Sequence, residues 1–219
     1  MPTIVVDIGH HENDSGAVAN GLREVDLNVS ICKYLVKDLE RHGLKVVVTT
    51  GTLQNRANVA NSIEADWFIS IHNNAGGGDG TEVLVYSNQL PQKAMAQNIL
   101  NEIVNQGLNN SRGIKERPDV YVLRKTVMPA VLVECAFIDT KDVECIDEEH
   151  EREAFGKAIA KGILKTLKID YIEEQPKTSY IHRICVGAYK DKDNALKALE
   201  IAKKTFRDAY IIREEIKNG

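Results

Sequence analysis

The chain has 219 residues, 43% hydrophobic and 27% charged. These are the proportions of an ordinary globular protein rather than of a disordered tail, a collagen-like fibre or a coiled coil. No apolar run reaches the roughly 18 residues that a membrane span requires. The net charge of −4 is spread unevenly: residues 176–219 carry 10 basic and 6 acidic side chains, residues 1–175 carry 18 and 26. A net-acidic body lacks the basic surface that neutralises phosphates, so neither nucleic acid nor a membrane is expected as a partner. The change of sign near Pro176 marks a second unit. Cys32, Cys135, Cys145 and Cys185 form no CxxC pair and are widely dispersed, which reads as reduced thiols of cytosolic synthesis. Residues 1–6 offer neither a basic n-region nor a long apolar h-region, so no signal peptide is expected.

In chain order, residues 3–8 form an apolar, β-branched run that reads as a buried strand. Residues 25–42 place Leu27, Ile31, Leu35 and Leu39 on one helix face, and Gly43 supplies the stop. A strand at 44–49, a helix at 53–64 and a strand at 66–72 follow, then a glycine-rich loop at 75–80. Residues 82–86 read as a strand, 91–107 as a helix with Pro91 near its start, and 120–123 and 130–134 as short strands. Residues 149–167 read as a helix packing through Phe155, Ile159 and Ile163. The alternation predicts an α/β fold: a twisted, mostly parallel sheet flanked by helices, spanning residues 1–168. A polar linker at 169–179 leads to a small C-terminal βαβ unit at 180–219, with strands at 180–189 and 209–213 around a helix at 191–207.

Ligands of such sheets sit beyond the carboxyl ends of the strands. Three separate segments deliver polar groups there: Gly9-His10, His72-Asn73-Asn74, and Glu134 after Ala130-Val131-Leu132-Val133. A catalytic zinc needs about three His or carboxylate ligands and an open position. His10, Glu24 and His72 form such a set, with Glu24 opening the helix after the first strand. Glu134 is a candidate base, because an ionised carboxylate among valines is costly unless it is paired or near a cation. Each residue has a plainer alternative. A strand-end histidine is commonly solvated, Glu24 favours a helix N-terminus through the macrodipole, and Glu134 could pair with a buried basic residue. His11 and Glu12 do not complete an HExxH motif, since position 15 is Ser15.

Several words occur in a single order: Val6-Asp7-Ile8-Gly9-His10, Leu53-Gln54-Asn55-Arg56 with Ala60-Asn61, Ser70-Ile71-His72-Asn73-Asn74-Ala75, and Met128-Pro129-Ala130-Val131-Leu132-Val133-Glu134 with Phe137-Ile138. With Ser111-Arg112-Gly113-Ile114-Lys115 and Tyr121-Val122-Leu123-Arg124, they resemble the zinc-dependent N-acetylmuramoyl-L-alanine amidases of the type-3 family over about residues 1–168. The resemblance implies a Zn2+ cofactor held at His10, Glu24 and His72, with Glu134 matching the catalytic glutamate. It implies peptidoglycan as partner, cleaved between N-acetylmuramic acid and L-alanine. Asn74 and Lys115 are the candidate substrate-binding residues. His11-Glu12-Asn13 replaces the small residues usual after the first histidine, which makes His11 a competing ligand or a groove residue. The connection after Tyr86-Ser87 is too short for the blocking helix of regulated members.

The C-terminal words Ile184-Cys185-Val186-Gly187-Ala188-Tyr189 and Asn194-Ala195 resemble half of a peptidoglycan-binding SPOR domain. A 40-residue half-module is near the size that needs docking or oligomerisation, so homodimerisation through residues 180–219 is expected, with docking on its own catalytic domain as the alternative. The absence of an export signal suits a phage endolysin, the favoured setting, or a mother-cell sporulation lysin; both act on the wall after release. The rival activities are a zinc carboxypeptidase acting on stem peptides and a non-catalytic wall-binding protein.

Overall fold

A computed structural model describes residues 1–173, 187–207 and 209–212. The chain divides into two units, Met1–Glu173 and Glu174–Gly219. The first unit is built on a six-stranded sheet. Its strands are β1 (Thr3–Ile8), β4 (Lys45–Thr49), β5 (Trp67–Asn74), β6 (Thr81–Val85), β7 (Ser111–Glu116) and β8 (Ala130–Phe137), in spatial order β4-β1-β5-β8-β6-β7. A two-stranded hairpin, β2 (Val18–Ala19) with β3 (Leu22–Arg23), stands apart from it. β4, β1, β5 and β8 run parallel, β6 runs antiparallel to β8, and β7 is parallel to β6. This is the mostly parallel α/β sheet expected.

Helices cover both faces, so the central strands are buried on both sides and read as continuous apolar runs rather than alternating ones. Ile4, Val5, Val6, Phe68, Ile69, Ile71, Val131 and Val133 have no exposed surface. On one face lie α1 (Glu24–Arg41), α3 (Gln92–Asn105) and α5 (Glu149–Leu167), contributing Leu35, Ile99 and Phe155 to the larger core. On the other lie α2 (Leu53–Ser62) and α4 (Tyr121–Lys125), which close a smaller core around Phe68, Leu84 and Leu132. α1 begins with Glu24 and Asp26 and ends with Arg41, the charge order that complements the helix dipole. Thr52 caps α2 by accepting from the Asn55 backbone N–H at 3.2 Å. Gly162 lets α5 approach α3 closely: a Cβ there would lie 2.4 Å from Ile99 Cα.

Several expectations are corrected. Of residues 120–123, expected as a strand, Val120 precedes the helical turn α4 and residues 121–123 belong to it, with Val122 and Leu123 buried. A four-residue apolar run carries too little periodicity to separate strand from helix. β7 was not anticipated, because Ser111–Glu116 holds one large apolar residue, Ile114. It forms through backbone pairing with β6, as an edge strand can. β5 and β8 also run two and three residues past their expected ends, to Asn74 and Phe137, so Glu134 sits inside a strand. A short 3-10 helix, Lys141–Cys145, precedes α5.

In the second unit the described residues contain one helix, α6 (Lys192–Lys203), capped by Asp191 and with none of its residues buried. It ends before the expected Arg207. The expected strand at 209–213 is not found over residues 209–212, and residue 213 lies outside the described residues. Of the expected strand at 180–189, residues 180–186 lie outside the described residues and 187–189 are irregular. A strand exists only through a paired neighbour, and none of these described residues pairs with another described residue. Among the described residues, no helix is long and apolar enough to cross a membrane.

Candidate metal centre

The site lies at the carboxyl ends of β1 and β5. Gly9 closes β1 and is fixed twice: its N–H donates to Ile71 O at 3.0 Å, and its carbonyl accepts from Asn28 Nδ2 at 3.1 Å. His10 follows with φ 66°, a left-handed conformation that a non-glycine residue adopts at an energetic cost and that concentrates at functional sites. Glu24 opens α1 and is 4% exposed. The β2–β3 hairpin brings it there, with the Glu24 N–H donating to Ala17 O at 2.9 Å.

The Glu24 carboxylate is the hub. Its Oε2 lies 3.0 Å from His10 Nε2 and accepts from the Ala17 N–H at 3.0 Å. Its Oε1 lies 2.9 Å from His72 Nδ1 and accepts from the Asn73 N–H at 3.2 Å. One donor atom from each of His10, Glu24 and His72 falls within 4.8 Å of the others. The imidazoles meet edge to face, with centroids 5.0 Å apart. Burial alone would raise the Glu24 carboxyl, but hydrogen bonds from both histidines outweigh it and hold it far below the usual carboxylate range. The same bond, chiefly, pushes His10 up to about 9.

Two imidazoles around one buried carboxylate is the nitrogen and oxygen donor set of a catalytic zinc centre. The cluster is packed too closely for a further side chain: a Cβ on Gly9 would lie 2.5 Å from His72 Nε2, and one on Gly16 would lie 2.4 Å from Glu24 Oε2. His11, weighed as a competing ligand, is not among the converging atoms; its Nδ1 accepts from the Asn13 N–H at 3.3 Å.

Glu134 stands in β8 directly beside His72 of β5 and opposite Glu82 of β6. Adjacent strands are about 4.8 Å apart and aligned residues project to the same side, so all three side chains share one face of the sheet. Glu134 Oε2 is shielded from solvent and has no hydrogen-bond partner. Burial chiefly pushes its carboxyl up to about 7; Glu24 and Glu82 add to the rise, while His72 opposes it. A buried carboxylate oxygen without a donor marks a place where a cation, a water or a substrate proton completes the site.

The two expected substrate residues differ. Asn74 ends β5 with its amide engaged: Nδ2 donates to Glu82 Oε1 at 3.1 Å and Oδ1 accepts from the Ala75 N–H at 2.9 Å. Lys115 is exposed on the edge strand opposite Leu84, and no hydrogen bond ties it to the triad. Sequence reasoning assigned no role to two ion pairs beside the site. Glu82 Oε2 accepts from Arg112 Nε at 3.0 Å. Asp7, fully buried three residues before His10, accepts from Arg56 Nη1 at 3.0 Å, Ser70 Oγ at 2.6 Å and Thr49 Oγ1 at 3.0 Å. That network ties β1, β4, β5 and α2 together beside the candidate metal centre. Its signal was present: a charged residue inside Val5-Val6-Asp7-Ile8 requires a buried partner.

A family profile described as N-acetylmuramoyl-L-alanine amidase matches residues 4–165. The chain is 32% identical over 203 residues to the sporulation-specific N-acetylmuramoyl-L-alanine amidase of Bacillus subtilis, covering 89% of this chain and 78% of that protein. It is 35% identical over 170 residues to an endolysin of Bacillus phage SPP1, covering 72% of this chain and 61% of the endolysin. Among solved structures, the amidase AmiC2 of Nostoc punctiforme superposes with a TM-score of 0.71 at 33% identity, over 76% of this chain and 97% of that one. With three-quarters of its length inside the profile, and with the sheet and the His-Glu-His cluster in place, the chain belongs to the N-acetylmuramoyl-L-alanine amidase family.

Proposed function

We propose that this chain is a zinc-dependent peptidoglycan hydrolase cleaving the amide between N-acetylmuramic acid and the L-alanine of the stem peptide. The observation that carries the reading is the convergence of His10, Glu24 and His72 beside the unpartnered Glu134 carboxylate. His10, Glu24 and His72 would hold the zinc. Once bound, it supplies a Lewis acid that polarises the scissile carbonyl and acidifies water. Glu134 accepts the proton of the attacking water and delivers it to the departing alanine nitrogen. The backbone N–H of Asn73 and the Asp7–Arg56 network hold Glu24 and β1 in place while this happens. Asn74 serves through Glu82, and Lys115 offers a cation to an acidic stem peptide from the edge strand.

Two lytic settings fit, phage release and mother-cell lysis. One observation favours the second: the similarity to the sporulation-specific amidase spans 203 residues, past the family profile, whereas that to the phage endolysin spans 170. Residues 180–219 are proposed as a wall-binding or self-pairing module, on the strength of their sequence; the mass of the full chain in solution checks the pairing.

The deciding experiment is digestion of purified peptidoglycan by the metal-loaded protein. The expected product is an intact stem peptide with a new amino-terminal L-alanine, and lysis should stop when zinc is chelated. Free D-alanine without new L-alanine termini would mean a carboxypeptidase instead, and intact walls would mean a binding protein.

A further inference from the structure

One imidazole nitrogen of His10 faces Glu24; the other faces a group that the site has not yet used. His10 Nδ1 lies 3.0 Å from Asp14 Oδ2. The other oxygen of the same carboxylate accepts from the Gly16 N–H at 3.2 Å. The segment between them is closed on itself, because His11 N–H donates to Asp14 O at 3.0 Å and Asp14 N–H donates to His11 O at 2.8 Å. Thr50 Oγ1 pins the His10 carbonyl from outside at 3.1 Å. The Asp14 side chain is 55% exposed, so burial does not oblige it to find a protein partner. The turn aims it at the ring.

An imidazole can give a lone pair from Nε2 only if its proton rests on Nδ1, and the group that accepts the Nδ1 proton fixes both tautomer and ring orientation. We propose that Asp14 is the positioning residue of the metal centre: it accepts the Nδ1 proton of His10, leaves Nε2 free toward the ion, and so sets the affinity for zinc. This rests on the zinc reading of His10, Glu24 and His72. Asp14 touches neither the ion nor the substrate.

The test separates this role from mere turn closure. Asp14→Ala removes both hydrogen bonds. Asp14→Asn keeps an oxygen for the Gly16 N–H but turns an NH2 group toward His10 Nδ1, which then must accept and places the ring proton on Nε2. Zinc affinity of the full chain is measured by chelator competition, and the melting temperature is measured without metal. Both variants should bind zinc about 10–100-fold more weakly than the wild type. The asparagine variant should keep the metal-free melting temperature within about 2 °C. Zinc affinity within twofold of wild type in either variant overturns the proposal. So does a loss in Asp14→Ala that Asp14→Asn restores, since that would make the turn alone responsible. A wild-type chain that takes up no zinc refutes the zinc reading itself, which is a distinct result.

Discussion

Replacing Gly16 by alanine tests the proposed metal centre with a single methyl group. Gly16 sits at φ +65°, and a Cβ there would lie 2.4 Å from Glu24 Oε2 and 2.6 Å from His10 Cδ2. Two costs follow. The left-handed backbone costs an L side chain roughly 1–2 kcal/mol, a fall of roughly 2–8 °C in melting temperature for a domain of this size. Ordinary contact begins at 3.4 Å, so Glu24 or the new methyl must yield by about 1 Å, a misplacement on the order of 100-fold in rate. Gly21 provides the control. It has φ +76° on the neighbouring turn, and a Cβ there would meet nothing within 4 Å. Gly21→Ala should therefore lose stability but keep zinc and lytic rate. Gly16→Ala should lose similar stability, bind less than one zinc per chain, and clear purified walls about 100-fold more slowly. Bound zinc is read by metal analysis after dialysis and rate by turbidity. If Gly16→Ala keeps full zinc and a rate within twofold of Gly21→Ala, Glu24 is not held as tightly against Gly16 as the 2.4 Å contact requires.

Glu134→Gln preserves shape and removes the base; turnover should fall by about 10²–10⁴-fold with zinc content unchanged, and a wild-type rate would remove Glu134 from the mechanism. Arg56→Met leaves the Asp7 carboxylate buried without its cation and should cost about 3–5 kcal/mol in urea unfolding; adding Asp7→Asn should recover part of that loss, and an unchanged midpoint would contradict the pairing. In the metal-free protein, His10 is raised from 6.5 to about 9 by Glu24. The stabilisation from this pair is therefore complete below pH 6.5 and disappears as pH rises through about 9. The melting temperature should decline between pH 7 and 10, and less so in His10→Gln. Zinc, which displaces the ring proton, should flatten the profile; an equal decline with zinc bound would contradict the shared site.

Much of this arrangement was legible in residue order. The runs at β1, β5 and β8 are largely apolar because both faces of the sheet are covered, and the i+4 pattern of Leu27, Ile31, Leu35 and Leu39 announces α1. His10, Glu24, His72 and Glu134 were identifiable because strand-end polar residues in an α/β sheet gather at one edge, and because their flanking words occur together. Two things were not legible. The strand β7 depends on a neighbour for its hydrogen bonds, not on its own side chains. The turn α4 is too short to have a period.

The length and charge pattern separated a body from a C-terminal unit, and local patterning pointed to the α/β class and to the four polar residues of the candidate site. Only the tertiary structure decided what those residues do to one another. It set Glu24 between two imidazoles 48 and 14 residues away, turned Asp14 onto His10, and left Glu134 Oε2 without a donor. The physical reason is that side-chain chemistry and periodicity are local properties, whereas a ligand set and a shifted proton affinity arise from distances between strands, which the closure of the whole sheet determines.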